Sequence, residues 1–468
     1  MAGLKEAASS YWREKQVSHL TGAQWGDEGK GKGVDEAAQF VDVVVRTNGG
    51  ANAGHTIENE YGEFKNHLMP CGFANPDVLN VIGAHVVVDP IQLITELDDA
   101  QERLPSSPQL VISSQAPLVM PWHITRDELR EKSKGDASIG TTKRGVGESY
   151  SDLALRDGFL VGDLLDSEFA EKFMRVADAQ DKYMRLIDGE HLVSEVDLTW
   201  KEGSISTLQG EIYTAKKKNY LNPEEELQKY LAAADRLGPL IGNTHVRVRE
   251  AFDDGKIILG EAGQAALLDL TNGTYPYVTS SHPGVSGFLI STGLGAHEVD
   301  RVIGTAKAYM TRVGEGPMPT ELQDEMGDYL REKGREYGAT TKRPRRTGWF
   351  DAVATKYGVQ TAGITELMVT KSDILDDLPY IKICVGYEVN GQQFSSMPDF
   401  SVSGMENVKP IYKTMKGWQK DTSGIRNFSD FPPEAKEYFG QIEELVDVPI
   451  SVLSVGPQRD AIVYRNDQ

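Results

Sequence analysis

Residues 21–35 read Thr-Gly-Ala-Gln-Trp-Gly-Asp-Glu-Gly-Lys-Gly-Lys-Gly-Val-Asp, and this stretch decides how the chain is laid out. A partly apolar run at 17–20 precedes it and a helix-compatible run at 31–40 follows, so the spacing predicts a strand, a glycine loop and a helix. Such an arrangement aims backbone N–H groups at an anion, and glycine is needed because only a residue without Cβ lets the main chain close on a phosphate. It is not a Walker A loop: a hydroxyl should follow the lysine, whereas Lys32 lies between Gly31 and Gly33. A second segment, 48–56, reads Asn-Gly-Gly-Ala-Asn-Ala-Gly-His-Thr. The two segments together set Asp27, Lys30, Lys32 and His55 on glycine hinges and point to phosphate chemistry. Taken one at a time, Asp27 reads first as an ordinary helix cap and His55 as an ordinary loop histidine.

Outward from the first loop, short Val- and Ile-rich runs recur at 41–46, 78–88, 109–113, 256–260, 366–370, 381–387 and 450–455. They are mostly continuous rather than alternating, which suits strands buried on both faces. Helix-compatible segments lie between them at 90–103, 168–187, 223–237, 298–309, 321–337 and 433–445. That alternation predicts an α/β fold, with a central, mostly parallel sheet flanked by helices. Residues 1–16 form a polar, partly helical N-terminal extension, and 17–468 carry no repeat or linker that would divide them, so one domain is expected there. The charged segment 201–218 has no matching pattern and reads as a surface excursion.

Composition narrows the function. A formal charge of −21 opposes nonspecific binding to a polynucleotide, which needs clustered Lys and Arg, so no nucleic-acid partner is expected. The two cysteines, Cys71 and Cys384, are far apart and belong to no Cys-x-x-Cys or His cluster, which supports neither a disulfide framework nor a zinc site. No apolar stretch approaches the roughly 18 residues of a membrane span, and the start lacks a signal-peptide core; a cytoplasmic protein is expected.

The first loop, followed by Asn52-Ala-Gly-His-Thr56, closely resembles the signature of the adenylosuccinate synthetase family. The likeness continues through Ile139-Gly-Thr-Thr142, Asp269 with Gly273-Thr-Tyr-Pro-Tyr-Val-Thr-Ser-Ser281, Thr311-Arg-Val-Gly314, Gly338-Ala-Thr-Thr341, Arg346-Thr-Gly-Trp349, Thr370-Lys-Ser-Asp373 and Ser454-Val-Gly-Pro457. The resemblance implies a P-loop-NTPase-like synthetase fold and a carbon–nitrogen ligase that joins L-aspartate to IMP with GTP, through a 6-phosphoryl intermediate. It assigns Asp27 as the base that takes the purine N1 proton and, with the Gly54 carbonyl, as a contact to Mg2+, whose preference is for hard oxygen ligands. It assigns His55 to donate to the moving phosphoryl group or purine oxygen, Lys30 to neutralise phosphoryl charge, and Gln264 to hold the purine.

By the same resemblance, Asn52, Thr142, Thr279, Arg156, Gln264 and Arg343 take the purine monophosphate, with Arg156 reaching across the interface of a homodimer. Aspartate falls to Val313, Thr340, Thr341, Arg343 and Arg345, since guanidinium forks recognise carboxylates directionally. GTP falls to Gly26, Glu28, Gly29, Lys30, Gly31, Thr56 and Arg345, with a base pocket from Lys371, Asp373, Ser454, Gly456 and Pro457. A carboxylate at Asp373 suits the N1–H and 2-amino donor pair of guanine, which adenine lacks.

The chain departs from the family pattern at four places. The family word Glu-Gly-Ala-Gln-Gly is here Glu261-Ala-Gly-Gln-Ala265; His282-Pro-Gly-Val-Ser286 follows the paired serines; and Lys143 and Lys342 stand where glycine is habitual. Two alternatives stay open at this point. One is the same chemistry on dGMP, as in some viral and archaeal relatives, several of which replace the acid of the first loop by serine. The other is a non-catalytic GTP-dependent switch, for which glycine loop and Thr-Lys-x-Asp would suffice.

Overall fold

Runs of β-branched residues buried on both sides form the frame. A computed structural model describes residues 2–135, 138–188, 220–338, 343–398 and 407–465. Its main sheet has ten strands, in the spatial order 462–464, 450–454, 366–370, 301–307, 17–22, 258–265, 43–46, 79–82, 109–113 and 241–242. All neighbours pair in parallel except 450–454 with 462–464. Side chains alternate across a strand, so each strand feeds two cores. Leu20, Val44, Leu259, Ile303, Met368 and Val452 enter one. Val43, Val45 and Ile258, with Val302, Leu367 and Val369, enter the layers opposite.

Several expected helices form as read: Pro90–Arg103, Phe169–Ile187, Pro223–Leu237 and Pro433–Val446. Pro90–Arg103 starts cleanly because Asp89 accepts from the backbone N–H groups of Ile91 and Gln92, with proline at the first position; such a cap contributes about 1 kcal/mol. The helix expected over 321–337 is shorter, Glu325–Lys333. The helix Ala2–Arg13 packs inward: Trp12 is buried in the main core and donates to Glu36 at 2.8 Å and to the Tyr464 hydroxyl at 2.9 Å.

Two expectations are corrected. Residues 298–309 do not form a helix; Arg301–Lys307 is a central strand between 17–22 and 366–370. Its charged ends gave it a helical look, yet both are buried and paired: Arg301 donates to Ser18 Oγ at 2.8 Å and Lys307 to Glu336. The 381–387 run is a strand, Tyr380–Val389, but outside the parallel sheet, pairing antiparallel with 392–394 and 409–416. The 201–218 segment, Thr340, Thr341 and Lys342 lie outside the described residues.

Candidate active site

Strands 17–22, 43–46, 258–265, 301–307 and 366–370 all point their carboxyl ends the same way, and parallel sheets bind ligands beyond those ends. A cleft of about 820 Å³ opens there. Its wall includes Gly26, Asp27, Gly29, Lys30 and Gly31 from the first glycine loop, and Asn52, Gly54, His55 and Thr56 from the second. Thr142, Gln264, Thr279, Val313, Arg345 and Lys371 complete the set of expected residues that meet in it.

The first loop turns sharply. Gly22 lies so close to the neighbouring strand that a Cβ there would sit 2.5 Å from the Ala265 Cβ and 2.5 Å from the Glu28 carboxylate. Glu28 is wholly buried with its side chain behind the loop, off the cleft wall, where it accepts from the Gly26 N–H at 2.8 Å and pairs with Lys30 Nζ at 2.8 Å. Its side chain shapes the loop, and only its backbone remains for a nucleotide. Asp27 adopts φ 60°, a left-handed conformation that brings its carboxylate to the cleft, where it forms an ion pair of 2.8 Å with Arg345 Nε. The helix Lys30–Ala37 begins at the cleft, so its positive end faces in.

His55 is buried against a carboxylate that the sequence reading quoted but gave no role. Its Nδ1 is hydrogen-bonded to Glu261, with Arg46 Nη1 3.1 Å away; its Nε2 is buried without a partner among the described residues, on a side chain that lines the cleft. Burial first, and then Arg46, push the imidazole below its ordinary value, so it is neutral near pH 7 with the Nδ1 proton directed to Glu261. Burial alone would raise the Glu261 carboxyl, but His55 and Arg46 outweigh it and hold it at about 2. A carboxyl depressed in this way contributes stability that is fully present above its ordinary 4.5 and is lost as pH falls towards 2; protonation of His55 acts in the same direction. Urea denaturation at stepped pH is therefore expected to show Glu261→Gln losing less stability than the parent chain across that window. Equal losses would overturn the assignment.

Gln264, Asn52 and Thr279 form one chain of hydrogen bonds. Gln264 Nε2 donates to Asn52 Oδ1 at 3.0 Å, Asn52 Nδ2 to Thr279 Oγ1 at 3.3 Å, and Asn48 Nδ2 to Gln264 Oε1 at 2.8 Å. The altered word around Gln264 moves its glycine to 263, where the family word has alanine, and there a Cβ would meet the Asn48 carbonyl at 2.7 Å; Ala262 and Ala265, in the places of the family glycines, are buried. Loop 138–145 is held from the helix Pro121–Lys134. Glu131 accepts from the N–H of Gly140 at 2.9 Å and of Thr141 at 3.2 Å, and Asp127 from Thr141 Oγ1 at 2.8 Å. Lys143 has φ 55°, which explains the glycine habit at that position.

Some expected residues lie elsewhere. Asp373, Ser454, Gly456 and Pro457 are off the cleft wall, but Lys32 ties Ser454 and Gly456 to the first loop, donating to Ser454 Oγ at 2.7 Å, Gly456 O at 2.6 Å and Ala461 O at 3.0 Å. Arg343 is exposed and off the cleft wall. Arg156 is exposed at the end of the helix Val146–Leu155 and also off it. Residues passed over in the sequence, Arg46, Glu261, Lys307 and Glu336, are buried acids and bases whose partners come from other segments of the chain. For Arg46, Glu261 and Lys307 only a charge inside an apolar run marks them, while Glu336 sits unmarked among the charges of 331–336.

Comparison with known proteins shows the family. A family model described as adenylosuccinate synthetase matches residues 19–463. The adenylosuccinate synthetase of Caldanaerobacter subterraneus subsp. tengcongensis is 44% identical over 454 residues, covering 96% of this chain and 99% of that protein. That of Thermomicrobium roseum is 42% identical over 449 residues, covering 96% and 98%. The solved structure of fully ligated adenylosuccinate synthetase from Plasmodium falciparum is similar with TM-score 0.85 at 32% identity, covering 96% of this chain and 100% of that one. The succinoaminodeoxyadenylate synthetase of cyanophage S-2L, bound to dGMP and dATP, shares the fold with TM-score 0.55 at 17% identity, covering 96% and 95%. The chain thus belongs to the adenylosuccinate synthetase family.

Proposed function

We infer that the chain is a ligase joining L-aspartate to IMP, with GTP cleaved to GDP and phosphate and adenylosuccinate as product. The observation that carries this is the meeting of Asp27, Lys30, His55 and the Asn52–Gln264–Thr279 chain in one cleft, in a chain that matches the family over nearly its whole length. Asp27 takes the N1 proton of the purine, the 6-oxygen attacks the γ-phosphorus, and GDP leaves; the aspartate amine then adds at C6 and phosphate departs. Lys30 and the amino end of its helix neutralise the phosphoryl oxygens, and Gln264, held by Asn48 and Asn52, offers its amide to the purine.

The Asp27 carboxylate and the cleft-lining Gly54 segment give the hard oxygen set that suits Mg2+. When bound, Mg2+ supplies charge neutralisation on the triphosphate. Arg345, paired with Asp27, and Val313, on the wall of the same cleft, would take aspartate. Two buried free thiols, Cys71 and Cys384, suit a reducing, cytoplasmic setting. Among the described residues no helix is long and apolar enough to cross a membrane.

The test is phosphate release from GTP: strict dependence on both IMP and aspartate supports the ligase, whereas hydrolysis indifferent to both would support a switch. Running dGMP against IMP decides the purine. Asp373→Asn is expected to bring the kcat/KM ratio of GTP to ATP down by about two orders of magnitude, because a carboxylate built to accept two donors is replaced by a group that repels one of them. Unchanged selectivity in steady-state kinetics would count against the pocket. Arg156, exposed and off the cleft wall of its own chain, suits delivery to a second subunit of a homodimer. Mixing Arg156→Ala with an Asp27→Asn chain is then expected to restore up to about a quarter of the activity, since one hybrid site in each heterodimer is whole; no recovery would overturn the shared site.

A further inference from the structure

Glu336 lies off the cleft wall and is wholly buried, yet four donors converge on its carboxylate. Lys307 Nζ donates to both oxygens at 2.9 and 2.8 Å, the Tyr309 hydroxyl to Oε1 at 2.6 Å, Lys371 Nζ to Oε1 at 2.8 Å and Arg345 Nη1 to Oε2 at 2.9 Å. The backbone joins in, as Arg345 N–H donates to the Glu336 carbonyl at 2.9 Å and Lys371 Nζ also reaches the Gly334 carbonyl at 2.6 Å. Burial alone would raise the carboxyl; Lys307, Lys371 and Arg345 outweigh it and hold it well below the usual range. Of its partners, Lys371 and Arg345 line the cleft, and Arg345 is also the residue ion-paired with Asp27. One buried charge therefore fixes two cations that face the substrates from different chain segments.

We propose that Glu336 is a positioning residue that holds Lys371 and Arg345 in one frame, so that the guanine end and the aspartate end of the cleft are set together. This rests on the assignment of Lys371 to GTP and Arg345 to aspartate given above. Lys307, with no exposure of its own, completes the anchor. A carboxylate that merely fills the core would have no reason to act on two substrates and spare the third.

The experiment is steady-state kinetics of Glu336→Gln, which keeps the shape, removes the charge and turns an amide donor towards cations. KM for GTP and KM for aspartate are expected to rise together by about tenfold, the cost of weakening charge-assisted bonds, while KM for IMP stays within about twofold. Unchanged KM values, or equal rises for all three substrates, would overturn the proposal. If Glu336→Gln does not fold, Glu336→Asp keeps the charge but withdraws it by one methylene. It is then expected to show the same paired rise at smaller size, and an unpaired or absent rise overturns the proposal. Lys371→Ala and Arg345→Ala separate the two layers. If they leave the GTP and aspartate KM values untouched, the underlying assignment fails; if they raise them while Glu336→Gln does not, only the role of Glu336 fails.

Discussion

Replacing Asp27 by asparagine is expected to lower kcat by about a thousandfold while leaving KM for IMP within a few-fold of the parent value. Asparagine preserves volume and one oxygen but cannot take the purine N1 proton, and without that step the 6-oxygen is a poor nucleophile. The local backbone reinforces the expectation. Asp27 stands in a left-handed conformation that few residues other than glycine, asparagine and aspartate adopt, so asparagine is also the substitution least disturbing to the turn. The loop beneath it, fastened by Glu28 to the Gly26 N–H and to Lys30, does not depend on the Asp27 side chain. A drop of less than tenfold, with thermal stability unchanged, would remove Asp27 from the role of base. The ion pair with Arg345 gives a second readout, because Asp27→Asn removes one of the two carboxylates that hold this guanidinium and is expected to alter the KM for aspartate.

Local signals in the sequence revealed the frame and the two glycine loops. The first loop could be read because its turns need glycine within a few residues, and because the strand before it and the helix after it follow their own periods. Helices 90–103 and 223–237 could be read because each carries its own start, a proline at the first position with Asp89 or Asn222 before it. The strand 301–307 could not. Arg301 and Lys307 look solvent-facing when their partners, Ser18 and Glu336, are unknown, so a buried strand takes on the profile of an amphipathic helix. Glu261 shows the same limit at the site, since the histidine it orients is 206 residues away in the chain. A sequence shows that a charged residue sits in an apolar run; only the fold shows which opposite charge makes that burial tolerable. Glycine-dependent geometry is local and legible, whereas the paired charges that orient His55, Arg345 and Lys371 come from segments that meet only in the folded chain.

His55→Asn is expected to lower kcat by about a hundredfold, because the ring nitrogen that can carry a proton to the developing oxyanion is lost. The imidazole has one ordered nitrogen and one that the cleft can use. With the Nδ1 proton committed to Glu261, a donor at Nε2 requires the imidazolium form, which phosphate oxygens in the cleft would favour and which Arg46 and Lys30 oppose. Glu261 raises the proton affinity of His55 by its charge and its hydrogen bond, so Glu261→Gln takes away the main support of the imidazolium. The sign follows: if activity needs the protonated form, the alkaline limb of the kcat profile moves to lower pH in Glu261→Gln, and it disappears in His55→Asn. Measuring kcat against pH for the parent chain and both variants separates this from simple loss of packing, which would scale the whole profile without moving it. A His55→Asn chain that keeps more than about a third of the parent kcat, or a Glu261→Gln profile whose alkaline limb stays in place, would show that His55 only packs the second glycine turn against Arg46 and takes no part in moving the phosphoryl group.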